Sequence, residues 1–268
     1  MSRWETAFGL RKLNFVHIGC WVLLFAVMLG TGFVEGPNPG ESIAFWRKAA
    51  AEGKPHAAQN LVTMLKDRAD HGVGEACNEL GLIYMEGKLA KKDPAAAIRL
   101  FASACDFGYE GGCENAGIQI LFYGAPASAA DVARVIDHLE TASAGGTNGL
   151  SSYLVGYAYD AGHGRALDKT KARAFYAKGA ALGDLGACKS LARMEINGEG
   201  GPVDHADAAR WLETAAGGKD ADSCMRLALM YHNGDGVARD EQRAVALLEE
   251  ACALGAPEAC QTLERMRR

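Results

Sequence analysis

The sequence predicts an all-α fold, a solenoid of antiparallel helix pairs that repeat about every 36 residues, preceded by one apolar helix. Five cysteine positions carry the repeat, because 113−77, 224−188 and 260−224 are each 36, and 188−113 is 75, or two periods plus three. Apolar residues in each copy follow helical spacing, and no stretch alternates as a β-strand does. Repeats of this length stack as units that contact only their neighbours.

The N-terminal part contains an uncharged apolar run that is long enough to cross a bilayer. It extends from Leu13 to Val34, and its 22 residues span roughly 33 Å as a helix, close to the hydrocarbon thickness. Residues 1–12 carry three basic side chains, and acidic side chains follow the run. The positive-inside rule therefore places residues 1–12 in the cytoplasm, a transmembrane signal anchor at residues 13–34 and the repeats across the membrane.

Two other interpretations of this run stay open. Gly30-Thr31-Gly32 offers the small residues of a signal peptidase site, in which case the protein is secreted, and a buried core helix is the remaining alternative. With a retained anchor, the protein is a single-pass inner-membrane protein whose repeats lie on the periplasmic or extracellular side. Residues 35–40 then form a short linker to the solenoid at residues 41–268.

Each repeat has the pattern of two helices. In the first helix a Gly or Ala lies four residues after the cysteine position and a tyrosine lies seven after it, as with Gly156 and Tyr159. The small residue lets the second helix approach closely. Gly-rich turns end the first helices, and aspartates open the second ones as N-caps: Asp93, Asp168, Asp204 and Asp240. Five pairs are expected, between an irregular N-terminal pair and a last helix from about Pro257, and they begin near Glu75, Gly111, Leu150, Gly186 and Asp222.

Two units depart from this pattern. Between Cys113 and about Gly149 the Gly-x-Gly turn is missing, and Ile120 stands in place of the tyrosine. In a later unit Glu195 replaces the tyrosine. We expect the first of these units to keep its helix pair and rebuild its turn. For the second unit, the pattern leaves the local packing around Glu195 open.

These repeats resemble those of the Sel-one-like repeat family, relatives of the tetratricopeptide repeats. The family pattern reads roughly A-x3-LG-x2-Y-x2-G-x-GV-x2-D-x2-KA, and NGDGVARD, from Asn233 to Asp240, is especially similar. The resemblance covers about residues 41–268. ACDFGYEGGC and ACALGAPEAC also resemble the cysteine pairs of the Helicobacter cysteine-rich protein family. The resemblance implies a right-handed superhelix and an interaction scaffold, and it brings the penicillin-binding and β-lactamase labels of the cysteine-rich family.

The seven cysteines that follow the apolar run fall into two groups. Cys105 with Cys113, and Cys252 with Cys260, are each eight residues apart and join the end of a second helix to the start of the next first helix. Because this places their Cα atoms within about 6 Å, two disulfides are expected. The other cysteines of the repeat have alanines eight residues upstream and are expected to be buried thiols without a metal: Cys77, Cys188 and Cys224.

Composition and motifs argue against several functional classes. A net charge of −5 provides no basic field for nucleic acid. The chain lacks the His-Glu-x2-His, G-x4-GK[ST], G-x-S-x-G and Ser-x2-Lys motifs. No catalytic residue and no cofactor is therefore predicted. A binding scaffold for a protein, a peptide or a peptidoglycan-related ligand is preferred over the alternative, a β-lactamase-like amide hydrolase.

The binding site is expected on the first helices, which line the concave side in tetratricopeptide stacks. Exposed groove positions should lie one, five and eight residues after the cysteine position. Tyr153, Tyr157, Lys189 and Arg193 are the strongest candidates, because aromatic rings and guanidinium groups are typical of binding hot spots. For the apolar positions, packing between repeats is an equal alternative. The same rule selects Asn78, Leu82, Met85, Glu114, Ile118, Leu121, Asp160, Ile196, Met225, Leu229 and His232.

Overall fold

The computed structural model describes residues 42–146 and 148–266. All regular secondary structure in this part of the chain is helical. The segments at residues 1–12, 13–34 and 35–40 lie outside the described residues, so the anchor and linker remain predictions. Within the described ranges, no helix is both long and apolar enough to cross a membrane.

Thirteen helices make up the described chain. In order they are α1 (Ile43–Ala51), α2 (Ala57–Asp70), α3 (Gly74–Glu86), α4 (Pro94–Asp106), α5 (Glu110–Tyr123), α6 (Ala129–Gly145), α7 (Gly149–Ala161), α8 (Lys169–Ala181), α9 (Leu185–Asn197), α10 (His205–Gly217), α11 (Ala221–Asn233), α12 (Glu241–Ala253) and α13 (Pro257–Met266). The five predicted pairs are α3–α4 to α11–α12, and each begins within one residue of its predicted start.

The chain divides into two compact units, Met1–Met64 and Leu65–Arg268. In the first unit, Ser42 caps α1, because its side-chain oxygen accepts a hydrogen bond from the Phe45 amide at 3.3 Å. Ala49 and Ala50 of α1 are buried. Leu61 of α2 is buried as well. The described part of this unit contains α1 and residues 57–64 of α2, two helices in the place of the irregular N-terminal pair that the sequence predicts.

The second unit contains the five pairs and α13. Four of its second helices begin as predicted, because each aspartate side chain accepts a hydrogen bond at 2.9 Å from the backbone amide three residues on: Asp93, Asp168, Asp204 and Asp240. First and second helices also approach as closely as predicted. A Cβ on Gly156 would lie 2.6 Å from Cδ1 of Tyr176, so only glycine permits this contact between α7 and α8.

Two apolar clusters form the core of this unit. The first extends from Ala97 to Ala215, and the second from Ala192 to Leu263. Trp211 packs against both clusters and so joins them. Helices of successive repeats thus share one continuous interior, as expected of stacked units.

The irregular unit keeps its helix pair and has a different turn. The turn between α5 and α6 contains five residues, 124–128, whereas residues 162–168, 198–204 and 234–240 form seven-residue turns. Helix α6 is longer than its counterparts, with 17 residues against 13 in α8, α10 and α12. The predicted rebuilding of this turn is confirmed.

Candidate functional site

Successive first helices lie side by side, since α3 packs against α5, α5 against α7, and α7 against α9. Of the three predicted groove positions, the fifth residue after the cysteine position is the one most often open to solvent. Leu82 is 41% exposed and Leu229 is 59% exposed, whereas Tyr157 and Ile118 are half-buried. We call this set the first-helix row: Leu82, Ile118, Tyr157, Arg193 and Leu229.

The prediction that positions one residue after the cysteine are exposed is wrong for Asn78. Asn78 is buried, and its side-chain oxygen accepts a hydrogen bond from the Asn115 side-chain amide of α5 at 2.8 Å. Glu114 is half-buried, and its carboxylate accepts hydrogen bonds from Asn148 at 2.7 Å and Ser151 at 3.0 Å. Burial raises the pKa of the Glu114 carboxyl. These positions face the next first helix, so their side chains join repeats.

An aromatic cluster connects α5 with α7 and consists of Phe122, Tyr153 and Tyr157. The Phe122 ring stacks on Tyr153 with centroids 5.8 Å apart, and its centroid lies 4.5 Å from that of Tyr157. Phe122 itself is 39% exposed, and the adjacent Tyr123 is 74% exposed. The spacing rule selects Tyr153 and Tyr157 but misses Phe122. The signal for it is the Phe-Tyr pair at the end of α5, just before the shortened turn.

A charged cluster lies next along the first helices and consists of Asp160, Lys169, Arg193 and Glu199. Asp160 accepts hydrogen bonds from Arg193 at 2.6 Å and from Lys169, and the Tyr176 hydroxyl lies 3.2 Å from its carboxylate. Glu199 accepts a hydrogen bond from Arg193 at 2.7 Å and pairs with Lys169 at 3.3 Å. The hydrogen bond from Arg193 lowers the pKa of the Glu199 carboxyl to about 2.

The two predicted cationic hot spots therefore already have partners within the fold. Arg193 joins α7 to the turn after α9, although a third of its side chain is exposed. Lys189 pairs with Asp220 at 3.0 Å, and Asp220 caps α11. Sequence reasoning missed Lys169 and Glu199, which complete the charged cluster. The sequence feature that could have indicated them is a basic residue directly after one Gly-rich turn and an acidic residue within the next one.

The remaining predicted groove residues differ in how far they are buried. Leu121 is buried, so its predicted exposure is wrong, because the end of α5 packs into the first apolar cluster. Four others are half-buried against the two apolar clusters: Met85, Ile118, Ile196 and Met225. His232 is exposed, and its Nδ1 atom lies 2.9 Å from the Glu241 carboxylate. Packing between repeats thus accounts for much of the apolar set.

Glu195 stands in the place of a tyrosine that, in two other repeats, donates a hydrogen bond to the preceding second helix. The hydroxyls of Tyr159 and Tyr231 donate hydrogen bonds to Glu140 at 3.0 Å and Glu213 at 2.9 Å, each on the preceding second helix. The Glu195 carboxylate is instead 3.5 Å from Arg173 of α8. Among the described residues its Oε2 atom has no hydrogen-bond partner. Burial raises the pKa of this carboxyl to about 7. Glu195 thus keeps a contact with the preceding second helix, but as an ion pair in place of the tyrosine hydrogen bond.

Both predicted disulfides are present. The Cα atoms of Cys105 and Cys113 are 4.5 Å apart, and those of Cys252 and Cys260 are 4.9 Å apart. The other three cysteines of the repeat are buried thiols, and burial raises their pKa values, to about 11 for Cys188.

His138 is the one potential metal ligand that lies beside a cysteine pair in the described part of the chain. Its ring and the sulfurs of Cys105 and Cys113 lie within 4.8 Å of one another. Because the two sulfurs are bonded to each other, they offer no thiolate to a metal ion. This group therefore does not form a ligand set in the disulfide form.

Comparison with protein families identifies the repeat. The family model described as Sel1 repeat matches residues 24–54, 74–109, 150–184, 186–220 and 221–255. These matches leave out residues 110–149, the unit with the shortened turn. No curated protein matches the chain significantly in sequence.

Solved structures share the fold. A protective antigen of uropathogenic Escherichia coli strains, described as displaying an SLR fold, is 24% identical with a TM-score of 0.66, and the match covers 84% of this chain and 51% of the antigen. This chain thus spans about half the length of that protein. A Sel1 repeat protein from Oxalobacter formigenes is 22% identical with a TM-score of 0.66, over 81% of this chain and 86% of its own. Cysteine rich protein B of Helicobacter pylori is 25% identical with a TM-score of 0.40, over 49% of this chain and 97% of its own.

Proposed function

Because the chain belongs to the Sel1 repeat family, we propose that it is a scaffold that binds a segment of another protein on its first helices. The observation that carries this proposal is the first-helix row with the aromatic cluster beside it. Leu82, Tyr157 and Leu229 come from different repeats and are at least partly open to solvent. Apolar and aromatic side chains on a polar surface are the usual anchors of a protein partner.

The bound segment is proposed to be extended. Each repeat contributes one member of the first-helix row, so a chain that crosses successive first helices meets one side chain per repeat. Apolar members lie at both ends of the row, and Arg193 with its acidic neighbours lies between them. A segment with apolar side chains near both ends and a polar middle therefore fits this surface best.

The finer features are part of the same proposal. The right-handed superhelix with first helices on its concave side provides the groove, and residues 13–34 anchor the repeats on the periplasmic or extracellular side. Two disulfides support this compartment, since disulfides persist in oxidising environments. A peptidoglycan-related ligand is a second candidate for the groove. No arrangement of residues within the described ranges favours the amide-hydrolase alternative.

The proposal is tested by affinity capture from envelope extracts with the full-length protein as bait. Tyr157→Ala with Leu229→Ala should reduce the amount of captured partner by about tenfold, because the two substitutions remove one partly exposed and one exposed anchor. Leu182→Ala is the matched control, because Leu182 is 41% exposed at the end of a second helix. Equal loss with the control variant, or no loss with the double variant, would contradict the proposed site.

A further inference from the structure

A cleft of about 790 Å³ lies between the second helices α4 and α6. Its apolar lining comes from Ala95, Ile98 and Ala102 of α4, Ile120 of α5 and Val135 of α6, and the turn at residues 124–128 forms its edge. The first-helix row contributes no residue to this lining. The volume falls within the usual range of ligand sites.

One end of the cleft, at Ala95, lies where regular repeats pack their own Gly-x-Gly turn on the start of the preceding second helix. Gly200 of the turn after α9 packs on α8, where an added Cβ would lie 2.2 Å from the Lys169 carbonyl oxygen. Gly236 of the turn after α11 packs on α10 in the same way, 2.3 Å from the His205 carbonyl carbon. Both glycines have positive φ. The turn at residues 124–128 is two residues shorter and has no second glycine, so this position over α4 is left open.

We propose that this cleft is a second binding site, which takes a short glycine-containing acidic turn of a partner protein. The shape of the cleft supports this, because its end at Ala95 is the place that a Gly-x-Gly turn fills in neighbouring repeats. A partner segment that turns in the same way would place a glycine, which has no Cβ, against α4. It could then cover the apolar lining of the cleft.

The charges of the cleft favour an acidic ligand. Arg134 forms ion pairs with both acidic side chains of the lining, Asp106 and Asp131, each at 2.9 Å. Arg99 makes no ion pair with any described residue, and it is exposed at the cleft. In a regular repeat, Lys169 of α8 pairs with Glu199 of the turn that covers it. A carboxylate on the bound turn would pair instead with Arg99, which lies five residues beyond the first residue of α4.

The probe is a fluorescein-labelled peptide with the sequence of residues 197–204, NGEGGPVD, which forms a regular acidic turn in this chain. Fluorescence anisotropy with the full-length protein should show saturable binding. Ala95→Trp, which fills the cleft, and Arg99→Glu, which reverses its charge, should each weaken binding by at least about tenfold. Ala246→Trp, at an exposed position of α12, is the matched control and should bind as the wild type does.

A second peptide tests the backbone argument. Gly198→Ala with Gly200→Ala in the probe should weaken binding by at least about tenfold, because alanine disfavours the positive φ of both positions. The proposal is overturned if the wild-type protein shows no saturable binding, or if Ala95→Trp and Arg99→Glu bind the probe as tightly as the control. Dimerisation that Ala95→Trp abolishes in light scattering would assign the cleft to a second copy and also overturn it. None of these variants lies on the first-helix row, so each proposal fails or stands separately.

Discussion

The turns after α5 and after α9 have the same place in their repeats and differ in what covers the preceding second helix. The seven-residue turn 198–204 packs Gly200 on α8, and its Glu199 joins the charged cluster. The five-residue turn 124–128 leaves a cleft over α4, and the helix before it ends in the exposed Phe122 and Tyr123. A seven-residue turn therefore covers the preceding second helix and stabilises the stack, whereas the five-residue turn leaves surface exposed on both sides of its repeat.

The largest effect should come from a matched pair of glycine substitutions in these two turns. Gly200 and Gly124 both have positive φ, but only Gly200 has backbone atoms in the way of a Cβ. Gly200→Ala should lower the free energy of unfolding by about 3 kcal/mol, because both strain and a clash result. Gly124→Ala should cost only about 1 kcal/mol, because strain alone results. Urea denaturation measures both, and equal losses would remove the distinction between a packed and an open turn.

The second effect concerns Glu195, where another repeat departs from the pattern. Its folded pKa of about 7 is above the unfolded value of 4.5, so its contribution to stability is fully present below pH 4.5 and is lost as the pH rises through 7. Glu195→Gln should remove this dependence, so its stability relative to the wild type should be about 2 kcal/mol higher at pH 8 than at pH 5.

Thermal and urea unfolding at pH 5 and pH 8 provide this measurement. Glu264→Gln, at an exposed position of α13, is the control. Its free energy of unfolding should change between pH 5 and pH 8 by as much as that of the wild type. If Glu195→Gln shows the same pH dependence as this control, the Glu195 carboxyl is ionised in the folded protein, and the account of its buried, unpaired oxygen is wrong.

The smallest effect concerns the charged cluster that the regular turn completes. Arg193→Ala should lower the free energy of unfolding at pH 7 by about 1 kcal/mol, because Asp160 and Glu199 lose a shared partner. The folded pKa of Glu199, about 2, is below its unfolded value, so this stabilisation is present above pH 4.5 and is lost as the pH falls through 2. The difference in free energy of unfolding between Arg193→Ala and the wild type should therefore become smaller at acid pH.

Arg226→Ala provides the comparison for this variant. Among the described residues, Arg226 pairs only with Asp222 of its own helix, at 3.0 Å, and half of its side chain is exposed. Its replacement should change stability by no more than about 0.5 kcal/mol. A loss with Arg226→Ala as large as with Arg193→Ala would show that the bridge between repeats adds nothing beyond an ordinary surface pair.

Sequence predicted the local features of this molecule well, because their causes lie within a few residues. Aspartate caps, Gly-rich turns and cysteines eight residues apart are local signals, and the structure confirms the helix starts and both disulfides. The absence of a Gly-x-Gly turn after α5 could be recognised from the sequence for the same reason. The cleft that it leaves was not predicted, because it depends on the distance between α4 and α6.

The candidate site was predicted only in part, because exposure depends on side chains from other repeats. Asn78 is buried by Asn115, which is 37 residues away, and Arg193 is paired with Asp160, which is 33 residues away. A spacing rule that considers one helix at a time cannot predict either of these contacts between repeats. Phe122 was missed because the rule assumes a regular helix end, whereas α5 ends at the shortened turn.

Hydroxyl-radical footprinting of the full-length protein with its captured partner shows whether the first helices hold that partner. Binding should protect Tyr157 and Leu229 from oxidation, because both lie on the first-helix row. Leu182 and Leu254, exposed at the ends of second helices, should react equally in the free and bound protein. Protection of Leu182 and Leu254 with no change at Tyr157 and Leu229 would contradict the account.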